Sequence, residues 1–473
     1  MKTMKSSPLL AILLCVIIVA AAISTISVEG RKHHVKKIKP KHRRHSKNTP
    51  TGSPAPAPYP STHEGVFDIL SFGAKGDGVS DDSKALVGAW KAACEVAGGK
   101  IEIPAGKEFM VKPVTLQGPC KEETVIQIEG TLVAPGKIGS WPKSSLFQWL
   151  NFKWVGHVTI QGSGTFDARG FNWWNLDTYQ THVRNKYIPP MKPTALRFYA
   201  SDNVTVRDIS IVNSPLCHLK FDNSDGVRVN NITISSPENS PNTDGIHLQN
   251  TRNVEIQHSN IACGDDCVSI QTGSSNVHIH HISCGPGHGI SIGGLGKDKS
   301  VACVSDIIVE DISLQNTLAG VRIKTWQGGL GVVKNLTFSN IQVTDVKVPI
   351  VIDQYYCDKS KCKNQTGAVS ISGVKYNNIV GSFTVQPVRI ACSNNVPCMD
   401  VDLLDIRLRP SGGIRGLQTH QQQQALCWNS YGKTQGPLVP SSIGYCLKKS
   451  NTGRGYYPKR FIASSSHDKI CPS

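Results

Sequence analysis

The sequence predicts an all-β chain wound into a parallel β-helix, a solenoid whose open end is capped by an N-terminal α-helix. Segments of the form apolar-x-apolar, polar pair, apolar-x-apolar recur at a nearly even spacing as VTVRDISI from Val204, VRVNNITI from Val227, VEIQHSNI from Val254 and VHIHHISC from Val277. Similar segments start at Ile307 and Leu336, and weaker ones at Val158 and Val401. Repeats of this length, built from Val/Ile-rich strands divided by Asn, Asp, Gly and Ser, bury their apolar face only by stacking on one another. Apolar residues alternate with period two, and Asn and Gly interrupt before a helix reaches three turns, which disfavours helical solenoids. A parallel β-helix is preferred to a β-sandwich. The capping helix is read in SDDSKALVGAWKAACEVAGG: Ser80–Asp82 form the capping region and Leu86, Ala89, Trp90, Ala93 and Ala97 an apolar stripe.

Two segments of different composition precede this body. Lys2 and Lys5 come before an uninterrupted apolar run from Leu9 to Ile23, followed by small residues at Ser24, Ser27 and Gly30. The run is shorter than the ~20 residues of a bilayer span, so residues 1–30 read as a secretory signal rather than a membrane anchor. Residues 31–63 then open with RKHHVKKIKPKHRRHSKN, which carries nine Lys or Arg, four His and no acid, and continue with alternating proline. They are expected to form a disordered cationic tract and a polyproline-like spacer. With both segments set aside, about seven of the formal +17 charges stay on residues 64–473, read as one domain. A polyanion suits both parts. Behind a secretory signal no nucleic acid is expected, which leaves an acidic matrix polysaccharide as partner or removal of the tract as a propeptide.

Fourteen cysteines remain once Cys15 leaves with the signal, an even number that suits an oxidising compartment. Cys357 with Cys362, Cys392 with Cys398 and Cys427 with Cys446 are close enough in sequence for local bridges to pin loops, although spacing does not fix connectivity. A zinc reading of Cys263 and Cys267 lacks a matching ligand cluster. Asn203, Asn231, Asn335 and Asn364 each open an Asn-x-Thr sequon.

Between Ser240 and Trp326 four polar motifs interrupt the strand pattern: SPNTDGIH, CGDDCVSI, CGPGHGISIGG and GVRIKTW. Asp265 follows Asp244, and His288 follows Asp266, at about one repeat each, so these side chains fall on successive rungs roughly 4.8 Å apart. Arg322 lies well over one repeat beyond His288 and joins that face only if the glycine-rich Gly293–Cys303 segment loops out. Neighbours in a strand point to opposite faces, so Asp265 and Asp266 both face outward only with a bulge or bend at Gly264. Three adjacent carboxylates repel, and at least one should hold a proton near neutral or mildly acidic pH. An acid beside bases is what glycoside hydrolysis needs, and Arg322 and Lys324, two apart on one strand, can hold an anionic sugar carboxylate. Each motif alone has a plainer reading: turn aspartates, a turn histidine between two glycines, a solvated basic face, or a calcium site made of the three aspartates. Their common register favours catalysis.

These motifs resemble the four signatures of the polygalacturonases, glycoside hydrolase family 28, in their plant form. The likeness extends to FGAKGDGVSDDSKAL, GSGTFDARGFNWW, NSPLCHL and IDQYYC, from about Val66 to Cys446. It implies a right-handed parallel β-helix that hydrolyses, with inversion, the α-1,4 bonds between galacturonate units of de-esterified pectin, with no metal or other cofactor. It implies Asp265 as general acid, Asp244 and Asp266 as activators of the water, His288 as the residue tuning the acid, and Arg322 and Lys324 as ligands of substrate carboxylates. The family's later cleft tyrosine is Tyr355 or Tyr356, with Tyr356 carried as the substrate-binding candidate. A bridge between Cys267 and Cys284 is implied as well. The basic tract lies outside the likeness, and a tether to pectate is the role expected of it. The whole describes a monomeric enzyme of the cell wall, free of the membrane once its signal is cut. Three rivals differ in what they need. A rhamnogalacturonan or xylogalacturonan hydrolase of the same family is expected to lack part of the histidine and Arg-x-Lys motifs, a pectate lyase works through calcium and a basic residue, and a pectate-binding wall protein has no use for intact catalytic positions.

Overall fold

Coils ahead of Ser275 contribute three short strands each. From Ser275 onward two of the three run together as one long strand, such as Val301–Gln315 or Leu330–Val346, and strands pair in parallel with their counterparts one coil on. Leu219–Asp222, Asp225–Asn230 and Thr233–Ser235 lie against Ile246–Gln249, Arg252–Gln257 and Asn260–Ala262 of the following coil. The computed structural model describes residues 65–141, 148–175, 191–358, 362, 364–412, 424–448 and 470–471. The expected signal, basic tract and spacer lie outside the described residues. Two of the three strands of a coil, or the long strand that replaces them, belong to one long 20-stranded sheet, and the remaining strand to an 11-stranded sheet. The result is a parallel β-helix.

The polar pair inside each repeat is where the long sheet bends. Asp208, Asn231, His258, His281, Asp311, Asn340, Asn378 and Asp405, one per coil, hold φ between 49° and 64°. This left-handed conformation is costly for most side chains and tolerated by Asn, Asp and His. The same residues stack: the Asn231 amide donates to Asp208 Oδ1 (2.8 Å), Asn340 to Asp311 Oδ1 (3.2 Å) and Asn378 to Asn340 Oδ1 (3.1 Å). Val204, Val227, Val254, Val277, Ile307, Leu336, Val374 and Val401 fall in one register. The coil from Val374 escapes the sequence pattern because Tyr376 takes an inward apolar position, fully buried and stacked on Phe338 at 5.1 Å.

Inward side chains of the smaller sheet form a continuous column of Leu116, Phe152, Phe198, Phe221, Leu248, Ile270, Ile292, Ile323, Ile352 and Ile390, none more than 1% exposed. The three phenylalanine rings stack at 4.7 and 5.2 Å. The helix Ser83–Cys94 closes the column, burying Leu86, Ala89, Trp90 and Ala93, with Trp90 edge-on to Phe152 at 5.9 Å. Ala97 is no part of the stripe: the helix ends at Cys94, which is bridged to Cys120, and Ala97 is exposed ahead of the Gly98–Gly99 turn. Asp82 precedes the helix without capping it, since its carboxylate accepts from the backbone N–H groups of Lys75 and Gly76 (2.8 and 3.1 Å).

Six disulfides are present among the described residues: Cys94–Cys120, Cys267–Cys284, Cys303–Cys471, Cys357–Cys362, Cys392–Cys398 and Cys427–Cys446, with Cys217 and Cys263 left as buried thiols. The Cys303–Cys471 bridge spans 168 residues.

Removing the central ring of the aromatic stack should leave a cavity that its neighbours cannot close. Phe198→Ala is expected to cost about 3–5 kcal/mol and to lower the calorimetric melting temperature by several degrees. Val79→Ala, at a side chain 79% exposed, should leave it unchanged. Equal melting temperatures for the two variants would contradict the packing described.

Candidate active site

Asp244, Asp266 and His288 hold the same place in three successive coils, each two residues ahead of a strand: Ile246–Gln249, Val268–Ile270 and Ile290–Leu295. Ile246 pairs with Val268 and Val268 with Ile290, the same step in sequence each time. The ladder runs on into the turns, where Gly245 N–H donates to Asp266 O (2.9 Å) and Cys267 N–H to Gly289 O (2.8 Å). Asp265 and Asp266 lie at a bend before the strand rather than within it. Gly264 permits the bend, because a Cβ there would stand 1.9 Å from the Ser240 carbonyl oxygen. Its N–H donates to Thr243 Oγ1 (2.9 Å), and the Asp265 carboxylate folds back to accept the Asp266 N–H (2.9 Å). The Cys267–Cys284 disulfide ties these coils together beside the bend.

Arg322 and Lys324 extend from the strand Ala319–Trp326, in register with Ser291 and Gly293. The step from Ile290 to its partner Val321 is longer than the two before it, and the Gly293–Cys303 segment absorbs the excess only partly as a loop. Gly293–Leu295 completes one strand, a short turn covers Lys297–Lys299, and from Val301 the chain is strand again, paired with Leu330 onward. Ala302 and Val304 are buried and give this stretch an inward face that the surrounding glycines hide in the sequence.

The centre of the site is Asp266, 2% exposed. Its Oδ1 accepts from Ser291 Oγ (2.7 Å) and Arg322 Nη2 (2.6 Å), and its Oδ2 from Lys324 Nζ (2.8 Å); Arg322 Nε also donates to Ser291 Oγ (3.0 Å). The two cations thus neutralise a buried carboxylate whose isolation would cost about 3–5 kcal/mol. Asp265 Oδ1 lies 2.9 Å from His288 Nδ1, and its Oδ2 accepts from Asn242 Nδ2 (3.2 Å). Asp244 Oδ2 is 3.4 Å from His247 Nδ1. Tyr356 meets Trp326 edge-to-face at 5.3 Å and carries Lys324 Nζ over its ring at 5.4 Å. Tyr355 is turned away, its hydroxyl donating to the Cys392 carbonyl (3.3 Å). All seven candidates, Asp244, Asp265, Asp266, His288, Arg322, Lys324 and Tyr356, line one open depression with Asn242 and Gln271. Asn242, His247 and Ser291 stand inside the quoted motifs yet were not singled out as candidates. The outward alternation of His247, Ser269, Ser291 and Arg322 across four paired strands marks three of the four as a rank with the fourth.

The carboxylates differ in proton affinity. Burial raises Asp244 above the ordinary range; the His247 hydrogen bond opposes this, and the charges of Asp265 and Asp266 add to it. Burial pushes Asp265 upward too, but the hydrogen bond from His288 and the charges of His288, Lys324 and Arg322 outweigh it and hold Asp265 low. The ligand atoms of Asp265, Asp266 and His288 lie within 4.8 Å of one another, a spacing a metal ion could use. Both Asp266 oxygens, however, already face cations, so a divalent ion there would meet two positive charges at close range.

Folded Asp244 keeps its proton to higher pH than the unfolded chain, where such a carboxyl titrates near ~3.9. Its contribution to stability is complete below that value and is lost as pH rises through the raised folded value. Asp244→Asn is neutral throughout, so its melting temperature relative to wild type should climb from about pH 4 upward. A difference that stays flat with pH would place the extra proton elsewhere.

Residues 94–427 match the family described as Glycosyl hydrolases family 28. Polygalacturonases of Persea americana and Malus domestica are each 41% identical to the chain, over 77% and 76% of it and 77% and 78% of their own length. Among solved structures, the endo-xylogalacturonan hydrolase of Aspergillus tubingensis superposes with TM-score 0.67 at 22% identity, covering 79% of this chain and 99% of that one. The polygalacturonase of Erwinia carotovora ssp. carotovora gives 0.60 at 23%, covering 78% and 94%. These two share the fold. With a family match across most of the coils and plant relatives this similar along most of their length, the chain is a glycoside hydrolase and belongs to glycosyl hydrolases family 28.

Proposed function

We propose that the chain is a polygalacturonase that hydrolyses, with inversion, the α-1,4 bonds between galacturonate units of de-esterified pectin. The observation that carries this reading is the convergence of three carboxylates, a histidine and two cations on one open face, the anionic substrate matching the cations. Asp265 gives its proton to the glycosidic oxygen as that bond to the anomeric carbon breaks. Water attacks the carbon from the opposite face and loses its proton to Asp244 or Asp266. Asp244 is a stronger base than Asp265 in the resting site, while Asp266, bonded at both oxygens, orients the water and the cations. In the resting site Asp265 is held low, the opposite of what an acid needs. A substrate carboxylate that takes up Arg322 and Lys324 and displaces water removes two of the lowering causes and strengthens the desolvating one. Asp265 then takes up a proton from solvent water before it acts, while His288 Nδ1, 2.9 Å from its Oδ1, holds the carboxyl in place. Tyr356 borders the sugar beside Lys324.

Residues 1–30 act in this reading as a secretory signal, 31–63 as the cationic and proline-rich segment, and 64–473 as the catalytic domain, delivered to the cell wall as a monomer. The six disulfides support an oxidising destination. Asn203, Asn231 and Asn335 are exposed but hold left-handed turns of the coil stack, whereas Asn364 lies in irregular chain between strands. Of the four, Asn364 is therefore the preferred glycan acceptor.

Product analysis on polygalacturonate tests the reaction. Asp265→Asn should lower kcat by about 10²–10⁴-fold with little change in melting temperature, and chelator should leave wild-type turnover intact with no unsaturated ends. Undiminished turnover of the variant would remove the acid's role from Asp265. Deleting residues 31–60 should weaken retention on immobilised pectate at low salt and matter less as salt rises; unchanged retention at low salt would overturn the tether.

A further inference from the structure

The long sheet carries a second cluster of titratable side chains, on a different sheet from the one that presents the candidate active site. Glu255, His278 and His280 offer one ligand atom each within 4.8 Å of one another. They come from neighbouring coils: Glu255 is in register with His278, and His280 with Glu310. His278 Nε2 lies 2.8 Å from Glu310 Oε1, which leaves Nδ1 with its lone pair when Nε2–H is donated. His280 Nε2 faces Glu255 Oε1 at 3.7 Å, and its Nδ1 lies 2.8 Å from His281 Nδ1.

A second observation singles out the same two coils. At the left-handed turn the flanking coils carry Asn or Asp linked by side-chain hydrogen bonds, Asn231 to Asp208 on one side and Asn340 to Asp311 on the other. In the coils between, His258 and His281 hold that turn, their rings 4.7 Å apart. Imidazole replaces the amide ladder on the two coils that also supply Glu255, from the coil of His258, and His278 with His280, from the coil of His281. Four histidines and two glutamates are thus grouped on one surface; the side chains of Glu255, His278, His280 and Glu310 are between 14% and 42% exposed and open to an ion from solvent.

We propose that Glu255, His278 and His280 bind a divalent zinc-class ion that bridges two adjacent coils, with water completing its shell. Two imidazoles and a carboxylate are borderline ligands that suit zinc or copper and not calcium or magnesium. Ligands at ~2.1 Å around a tetrahedral ion stand roughly 3.4 Å apart, so part-exposed side chains need close by little more than an ångström. Glu310, bonded to His278, is a positioning residue of the carboxylate–histidine–metal kind.

The test is zinc titration of the full chain, read by calorimetric binding and by melting temperature at neutral pH, with magnesium as control. Zinc should bind and raise the melting temperature of wild type where magnesium does not. The double variant His278→Ala with His280→Ala should lose at least tenfold in affinity and the whole thermal shift, while its hydrolytic rate stays at the wild-type level. Glu255→Gln, nearly isosteric, should weaken binding in the same direction should the double variant fold poorly. The proposal is overturned by a thermal shift equal in wild type and variants. It is equally overturned by zinc that binds with no thermal shift, since that metal would sit on His33, His34, His42 and His45 of the N-terminal tract.

Discussion

In-register parallel hydrogen bonding between successive coils is the constraint on which everything else rests. A coil has no core of its own; its inward valines, isoleucines and phenylalanines are dry only because the next coil lies in step with them. A slip of one residue would send the column from Leu116 to Ile390 to the solvent side. The left-handed Asn, Asp and His residues fix where each coil bends, and so fix the phase from which the next strand begins. Because that phase is held constant from Ile246 through Val268 to Ile290, side chains that share no local contact in the sequence arrive together on one face.

The site uses that precision for electrostatics. Asp266 is buried because it sits at the entry to a strand in the middle of the stack, and burial is tolerable because Arg322 and Lys324 arrive from another coil in the correct register. The same cations, with His288, depress Asp265, while Asp244, one coil back, is raised by its burial against the opposing hydrogen bond of His247. Asp244 and Asp265, chemically identical, thus acquire opposite shifts in proton affinity from their surroundings in the stack. An anionic ligand that reorganised the two cations would release Asp265 from part of what holds it low.

Much of this was legible in the sequence because a solenoid converts spacing into proximity. Val204, Val227, Val254 and Val277 announced the period, and the motifs holding Asp244, Asp266 and His288 fell on it. Arg322 and Lys324 did not, because the step there is longer and the glycines after Ile292 disguised a segment that returns to strand at Val301. Ser291 and His247 were hidden by their ordinariness: a serine or a histidine at an outward strand position gains meaning only when the opposing strand is known. The apolar stripe runs on to Ala97 beyond the helix that carries it, and the coil at Val374 is disguised in the sequence because Tyr376 fills a place that usually takes an aliphatic chain. That Tyr356 and not Tyr355 lines the depression is visible only in the structure, since adjacent tyrosines differ only in which way the strand turns them.

The Cys303–Cys471 bridge gives this linear architecture a property that stacking alone lacks. A pile of coils that touch only their neighbours can unzip from either end, one rung at a time, each loss exposing the next. Fastening residue 471 to residue 303 closes a loop of 168 residues around the C-terminal half of the stack, so fraying from that end cannot run free of the middle and must pull against a covalent anchor. The terminal coils and the coil after His288 are thereby made one mechanical unit, and the rungs carrying Arg322 and Lys324 lie inside it.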